Sequence, residues 1–244
     1  ELEEQIKQWE IQHDADKEQI IKKKEEIKIL NEEIDNMEMS LDEFNAEITK
    51  LKALKEDYDE IGEKWNNSRP KVNMKYTARP AFGKDKRLNV DPRIFFSNDK
   101  FIPKVSGKTY DEIAKKALEY VIKNIKYTSD TSQFKVNEVW LFPFETLDLK
   151  KGDCEDGAIL LANIMLASGI PYSRIRLAAG NVKGGGHCWC DYKRDDGTTV
   201  ILDWCYWPDS NTRNLKKTYK IGKNYFETWF SWNKKYVFKG EKKQ

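Results

Sequence analysis

Histidine is nearly absent from this chain, with two in 244 residues, His13 and His187, and cysteine is scarce at four. Two histidines confine any imidazole chemistry to two positions. Three of the four cysteines crowd between Cys188 and Cys205, too few and too clustered to staple a chain of this length, and that usage fits a reducing compartment. Long apolar runs are also missing. The best candidate, Ala158 to Ile170, falls short of the roughly 18 to 20 residues that cross a bilayer and contains Asn163, so no membrane span is expected. The sequence starts at Glu1 rather than Met, so a leader could have been removed; a cytoplasmic or virion-associated setting is favoured.

Net charge is small at +2 although 34% of residues are charged. The average conceals two regions: residues 1–65 hold 10 Lys and Arg against 21 Asp and Glu, and the remainder is net +13. With a mean hydropathy of −0.80, part of the chain is expected to stay outside any globular core.

The acidic part lacks glycine before Gly62 and proline before Pro70, so nothing forces a turn. What it has is a seven-residue repeat from Leu2 to Tyr58. One apolar set is Ile6, Ile20, Ile27, Ile34, Leu41 and Ile48; the other is Leu2, Trp9, Leu30, Met37, Phe44, Leu51 and Tyr58. Their offsets of three and four are the a/d spacing of a coiled coil, interrupted by His13, Asp16, Lys23 and Lys55. Residues 1–62 are expected to form one long helix that self-associates through 2–58, with a dimer favoured. Its negative charge disfavours nucleic acid as a partner.

From Gly62 to Gly107 the period is broken by Asn66, Asn67, Ser68, Pro70, Pro80, Gly83, Pro92 and Pro103. Residues 63–107 read as a linker and extended lead-in, with short strands near Arg93 to Phe96. Lys71, Lys75, Arg79, Lys84, Lys86, Arg87 and Arg93 make it basic, and a solvated surface is the preferred reading over a polyanion site.

Residues 108–244 read as the catalytic domain. Thr109 is a plausible N-cap for a core helix over Tyr110 to Ile125. A second helix starts at Asp153, with Asp156 three residues on and an apolar run from Ile159 to Leu166, and stops at Gly169 and Pro171. Arg174 to Ala179, His187 to Tyr192 and Thr198 to Asp203 alternate as strands, and Asp195, Asp196 and Gly197 supply a hairpin turn. That turn lies midway between His187 and Asp203 and should bring them together, the arrangement that fixes an imidazole tautomer. Cys154 falls in the first turn of the second helix, where free amides and the dipole favour a thiolate and can hold an oxyanion. Asp153, Glu155 and Asp156 oppose a second anion there, so contact with His187 decides whether the thiol is reactive.

The stretches Phe144-Glu145-Thr146-Leu147, Lys151 to Ala158, Gly185-Gly186-His187-Cys188-Trp189 and Val200-Ile201-Leu202-Asp203 resemble the core of the transglutaminase-like superfamily, over roughly Thr109 to Pro208. The resemblance implies an α+β fold: a papain-like, transglutaminase-like core with an antiparallel sheet and a nucleophile-bearing helix, preceded here by the long coiled-coil helix. It implies a Cys-His-Asp triad at Cys154, His187 and Asp203; that chemistry is expected to act through a thioester on a protein, peptide or cell-wall peptide, and no cofactor or metal is expected. The alternative is a non-catalytic assembly protein, such as a phage particle component, with a vestigial domain.

Cys188 and Cys190, two apart on a strand, are expected as small core packing on the face opposite His187 rather than zinc ligands. Gly184, Gly185 and Gly186 should allow close approach or loop motion. The aromatics from Trp204 to Phe238 are expected to pack a C-terminal segment across the sheet, with Trp204 and Trp207 near the cleft. Trp140 or Gln133 is expected to supply a second oxyanion donor.

Overall fold

A computed structural model describes residues 1–83, 86–97, 100–206 and 224–240, apart from the Tyr58 side chain. Lys84, Trp207 and Tyr219 lie outside the described residues. The chain divides into two compact units, Glu1–Glu56 and Asp57–Gln244.

The first unit is helical from Leu2 onward, the N-terminal part of α1 (Leu2–Asn67). Its seam residues Ile6, Ile20, Ile27, Ile34, Leu41 and Ile48 are solvent-exposed, as is the second set from Leu2 to Leu51. His13 on that seam stacks on Trp9, four residues earlier, with ring centroids 5.1 Å apart.

The helix ends at Asn67 and not near residue 62, because its last turns pack within the second unit. A Cβ on Gly62 would stand 2.8 Å from Ser173 Oγ, so the glycine permits close approach where the sequence suggested a break. Asn66 is fully buried and donates through Nδ2 to the carbonyls of Ser173 (2.7 Å) and Gly62 (3.1 Å). Its Oδ1 accepts from Asn233 Nδ2 (3.1 Å) and Arg176 Nη2 (3.3 Å). The Arg176 guanidinium lies over the rings of Trp65 and Phe238, at 3.8 and 4.5 Å from their centroids.

Residues 63–107 are not a linker. β1 (Tyr76–Ala78) and β2 (Leu88–Val90) form an antiparallel hairpin. Ala78, Val90, Phe95, Phe96 and Ile102 belong to the main core. The strands expected near 93–96 are a 3-10 turn, Pro92–Phe95: Asp91 caps it by accepting from Arg93 N, and proline at the first position presets φ.

There follow α2 (Tyr110–Asn124), β3 (Lys126–Tyr127), α3 (Asp130–Phe134), α4 (Pro143–Leu149), β4 (Lys151–Gly152) and α5 (Cys154–Ala167). Thr109 Oγ1 caps α2 by accepting from Glu112 N at 3.2 Å. β5 (Ile175–Val182), β6 (Gly185–Lys193), β7 (Thr199–Leu202), β8 (Tyr225–Trp232) and β9 (Val237–Lys239) form one sheet in the order β7-β6-β5-β8-β9. Every pair in it is antiparallel, and the C-terminal aromatic strands complete one side. Gly197, at φ +80°, closes the β6–β7 turn.

Alternation splits the sheet. Cys188, Cys190, Tyr192 and Leu202 join the core around α5, whose Ile159, Leu160, Leu161, Ile164 and Met165 are fully buried. Trp189, Ala178, Ile201 and Tyr225 form a smaller cluster on the other face. Each α5 aliphatic contributes about 1.5–3 kcal/mol of burial, so the helix is anchored by apolar packing.

Asn66→Ala removes an acceptor from a buried guanidinium and two donor bonds at once. We expect it to lower unfolding stability by about 2–4 kcal/mol, read as a reduced urea midpoint with unchanged slope.

Candidate active site

The β6–β7 register pairs Cys190 with Leu202 and Tyr192 with Val200. Asp203, one residue past β7, thus lies level with Trp189 and two residues from His187 on the same face. There Asp203 Oδ2 meets His187 Nε2 at 2.7 Å, with both side chains buried. The same oxygen accepts from Tyr225 OH at 2.8 Å, and Oδ1 accepts from the backbone amides of Cys205 (3.2 Å) and Tyr206 (3.1 Å). These bonds fix the carboxylate. Because Nε2 faces Asp203, the tautomer that donates there leaves Nδ1 as the basic nitrogen. The ring is flanked by Tyr206 at 5.3 Å and Trp189 at 6.2 Å.

Cys154 occupies the first position of α5, as its sequence context requires. The helix start is closed by Asp156, whose Oδ2 accepts from Asp153 N at 3.1 Å. Trp204 Nε1 donates to the Cys154 carbonyl at 3.0 Å, and its ring lies where a Cβ on Gly157 would be. Trp204 therefore clamps the first turn of α5, the turn that carries Cys154.

The thiol itself points elsewhere than expected. Cys154 Sγ donates to Glu155 Oε2 at 3.2 Å, and no hydrogen bond joins it to His187. Burial, followed by the charge of Asp153, holds the thiol well above its ordinary range. The imidazole is nevertheless close enough for its charge to act on Asp153 at the helix start. In this arrangement His187 and Asp203 are assembled while Cys154 is protonated and turned to its neighbour.

Around the helix start lies a group of buried carboxyls. Ligand oxygens of Asp130, Asp153 and Asp156 are within 4.8 Å of one another, as are those of Asp130, Glu138 and Glu155. Such oxygen sets could share protons or hold a hard cation. Asp156 Oδ1 accepts from Leu141 N at 2.8 Å, and Asp130 accepts from Val139 N. Burial pushes Glu155 and Asp156 well up, and drives Asp130, with help from Asp153, to about 7. His187, Asp203 and Cys205 form a further set within 4.8 Å.

Several residues were not foreseen. Tyr225, Glu155 as the thiol's partner and Asp130 carry no local pattern that marks them. Trp140, by contrast, is removed as an oxyanion donor: its Nε1 donates to Glu138 at 2.7 Å and its ring packs against Tyr76, Phe95 and Trp232. Among the described residues, Gln133 keeps a buried side-chain amide with neither Nε2 nor Oε1 hydrogen-bonded. Cys188 and Cys190 are buried core residues. Gly184, just before β6, and Gly185, its first residue, take φ of +130° and +138°, while Gly186 makes room for the Trp229 ring.

A free thiol at the start of α5 and a buried histidine–aspartate pair both fall in the stretch that a known family matches. Residues 99–205 match the family model of the transglutaminase-like superfamily, so this stretch is a transglutaminase-like domain. Among solved structures, EGTA-treated Legionella pneumophila LapG aligns at 19% identity with TM-score 0.42, covering 55% of this chain and 68% of that one. Calcium-bound Legionella pneumophila LapG aligns at 20% identity with TM-score 0.39, covering 51% and 66%. No curated protein sequence matches.

The raised carboxyls set a pH dependence. Asp130 binds its proton more tightly folded than unfolded, so its contribution is complete below about pH 4 and is lost as pH rises through about 7. Stability measured by urea unfolding in chelator-containing buffer should fall across that window, and Asp130→Asn should flatten the fall.

Proposed function

We propose that the domain is a cysteine-dependent acyl-transfer enzyme acting on an amide, with Cys154 as nucleophile, His187 as base and Asp203 as its orienting partner. The observation that carries this reading is the buried 2.7 Å bond from His187 to Asp203, with Trp204, the residue after Asp203, bonded to the Cys154 carbonyl at the start of α5. The thiol leaves Glu155, gives its proton to His187 Nδ1, and its sulfur attacks the carbonyl carbon. The α5 amides, with Gln133 as a candidate second donor, hold the oxyanion. His187 then protonates the departing amine, leaving a thioester that water or another amine resolves. We favour hydrolysis, since excluding water from the thioester is the harder task. A protein, peptide or cell-wall peptide is the substrate class this chemistry fits.

We further propose that residues 2–58 join copies of the chain as a coiled coil, a dimer first. The exposed, regularly spaced Ile and Leu seam supports it, because a narrow apolar stripe on a long helix is left in water unless a partner covers it.

Cys154→Ser and His187→Ala should abolish thioester formation with an amide library, and Asp203→Asn should slow it by roughly 10²–10⁴-fold, followed by mass spectrometry of the intact acyl-enzyme. A wild-type chain that forms no thioester and whose Cys154 reacts with iodoacetamide no faster than Cys188 or Cys190 would favour the assembly-protein alternative. Light scattering should give twice the 28.7 kDa chain mass, and Ile27→Lys with Ile34→Lys should return it to the monomer. A monomeric wild type would refute the coiled coil.

A further inference from the structure

The hairpin of β1 and β2 ends in an arrangement that ordinary sheet packing avoids. Its register pairs Tyr76 with Val90, Thr77 with Asn89 and Ala78 with Leu88, and the same register continued one step beyond the strands puts Arg79 across from Arg87 at the turn end of the hairpin. Like charges directly across a strand pair repel. A third cation adds to them. The Arg79 carbonyl accepts from Trp140 N at 3.1 Å, and Pro80 bridges Trp140 in parallel, which lays the hairpin end alongside residues 135–138. Lys135, held at φ +60° where α3 ends, lines the same concavity.

That concavity measures about 280 Å³ and is lined by Arg79, Arg87, Lys135, Val136, Asn137 and Glu138. Three cations thus face one carboxylate. Among the described residues neither guanidinium forms an ion pair, and Lys135 Nζ reaches only the Ser132 carbonyl, at 3.4 Å. Glu138 is engaged on its inner side by Trp140 Nε1. A surface that gathers three positive charges, opposes two of them across a hairpin and supplies a concavity between them is shaped for an anion, and paired arginines suit the forked geometry of a carboxylate.

The place of this concavity relative to Cys154 gives it a role. Glu138 is within 4.8 Å of Glu155, and Glu155 accepts the Cys154 thiol at 3.2 Å. The concavity's inner wall is therefore on the order of 10 Å from the nucleophile, about three residues of extended chain.

We propose that Arg79, Arg87 and Lys135 bind an acidic side chain of the polypeptide substrate, an aspartate or glutamate a few residues from the amide that Cys154 attacks. The assignment of the anion to a substrate rests on the amide-cleaving reading above; the anion site itself does not. An acidic residue there neutralises the Arg79–Arg87 repulsion and fixes the register of the bound chain relative to Cys154.

The test is binding to the full chain carrying Cys154→Ala, which reads recognition without turnover. Isothermal titration would compare the capped peptide acetyl-Ala-Asp-Asp-Ala-amide, its Asn-Asn counterpart and inorganic phosphate. We expect the Asp peptide to bind at least about tenfold more tightly than the Asn peptide, with a preference that weakens as salt rises. Arg79→Gln with Arg87→Gln should erase the preference, and Lys135→Gln, at an exposed position, should reduce it with the melting temperature unchanged. Equal binding of the two peptides, or a preference that survives the double variant, overturns the site. Phosphate binding that depends on the arginines, without Asp-peptide binding, overturns the assignment to a polypeptide substrate. Since none of these readouts needs catalysis, failure of the wild type to form a thioester bears on the catalytic reading alone.

Discussion

The domain depends on enclosing α5. A helix in which Ile159, Leu160, Leu161, Ile164 and Met165 are all fully buried has no side that can face water, so it must be covered all round. One flank takes the Cys188, Cys190 and Tyr192 face of the sheet, another takes Ala114, Ala117, Leu118 and Val121 of α2. This fixes where the start of the helix lies, and with it Cys154, whose carbonyl accepts from the indole of Trp204, the residue after Asp203.

The same enclosure creates the electrostatic problem of the site. Asp153, Glu155 and Asp156 come indoors with the helix start, where they meet Asp130 and Glu138. In water such carboxyls would ionise independently. Inside, burial and mutual repulsion raise their proton affinity, and the Cys154 thiol is held protonated among them. In the proposed reaction the thiol must therefore leave Glu155 for the imidazole, which Asp203 already holds by a 2.7 Å bond. The acidic interior also contrasts with the three cations at Arg79, Arg87 and Lys135, so that charge of opposite sign meets near Glu138.

Much of this was readable from local pattern. The helix starts at Thr109 and Asp153, the stop at Gly169, the hairpin at Gly197 and the approach of His187 to Asp203 all rest on interactions between residues close in sequence or on strand alternation. Where the reading failed, distant residues intervened. Gly62 reads as a breaker until Ser173 is packed against it, and residues 63–107 read as a linker until Ala78, Val90 and Phe95 are seen in the core. Pro92 suggested irregularity but the Asp91 cap turned it into a 3-10 segment. Trp140 could be an oxyanion donor by spacing, yet its indole is bonded to Glu138.

By itself the sequence determined the class of the domain, the secondary structure around the candidate triad and the amphipathic character of the N-terminal helix, since each follows from periodicity, capping chemistry and short loops. Only the tertiary structure decided the partner of each polar group: Tyr225 on Asp203, Glu155 on the Cys154 thiol and Asn66 on Arg176, and it gathered Arg79 and Arg87 around one concavity. Those choices depend on which side chains are deprived of water together, and desolvation is a property of the packed fold that no local stretch of chain contains.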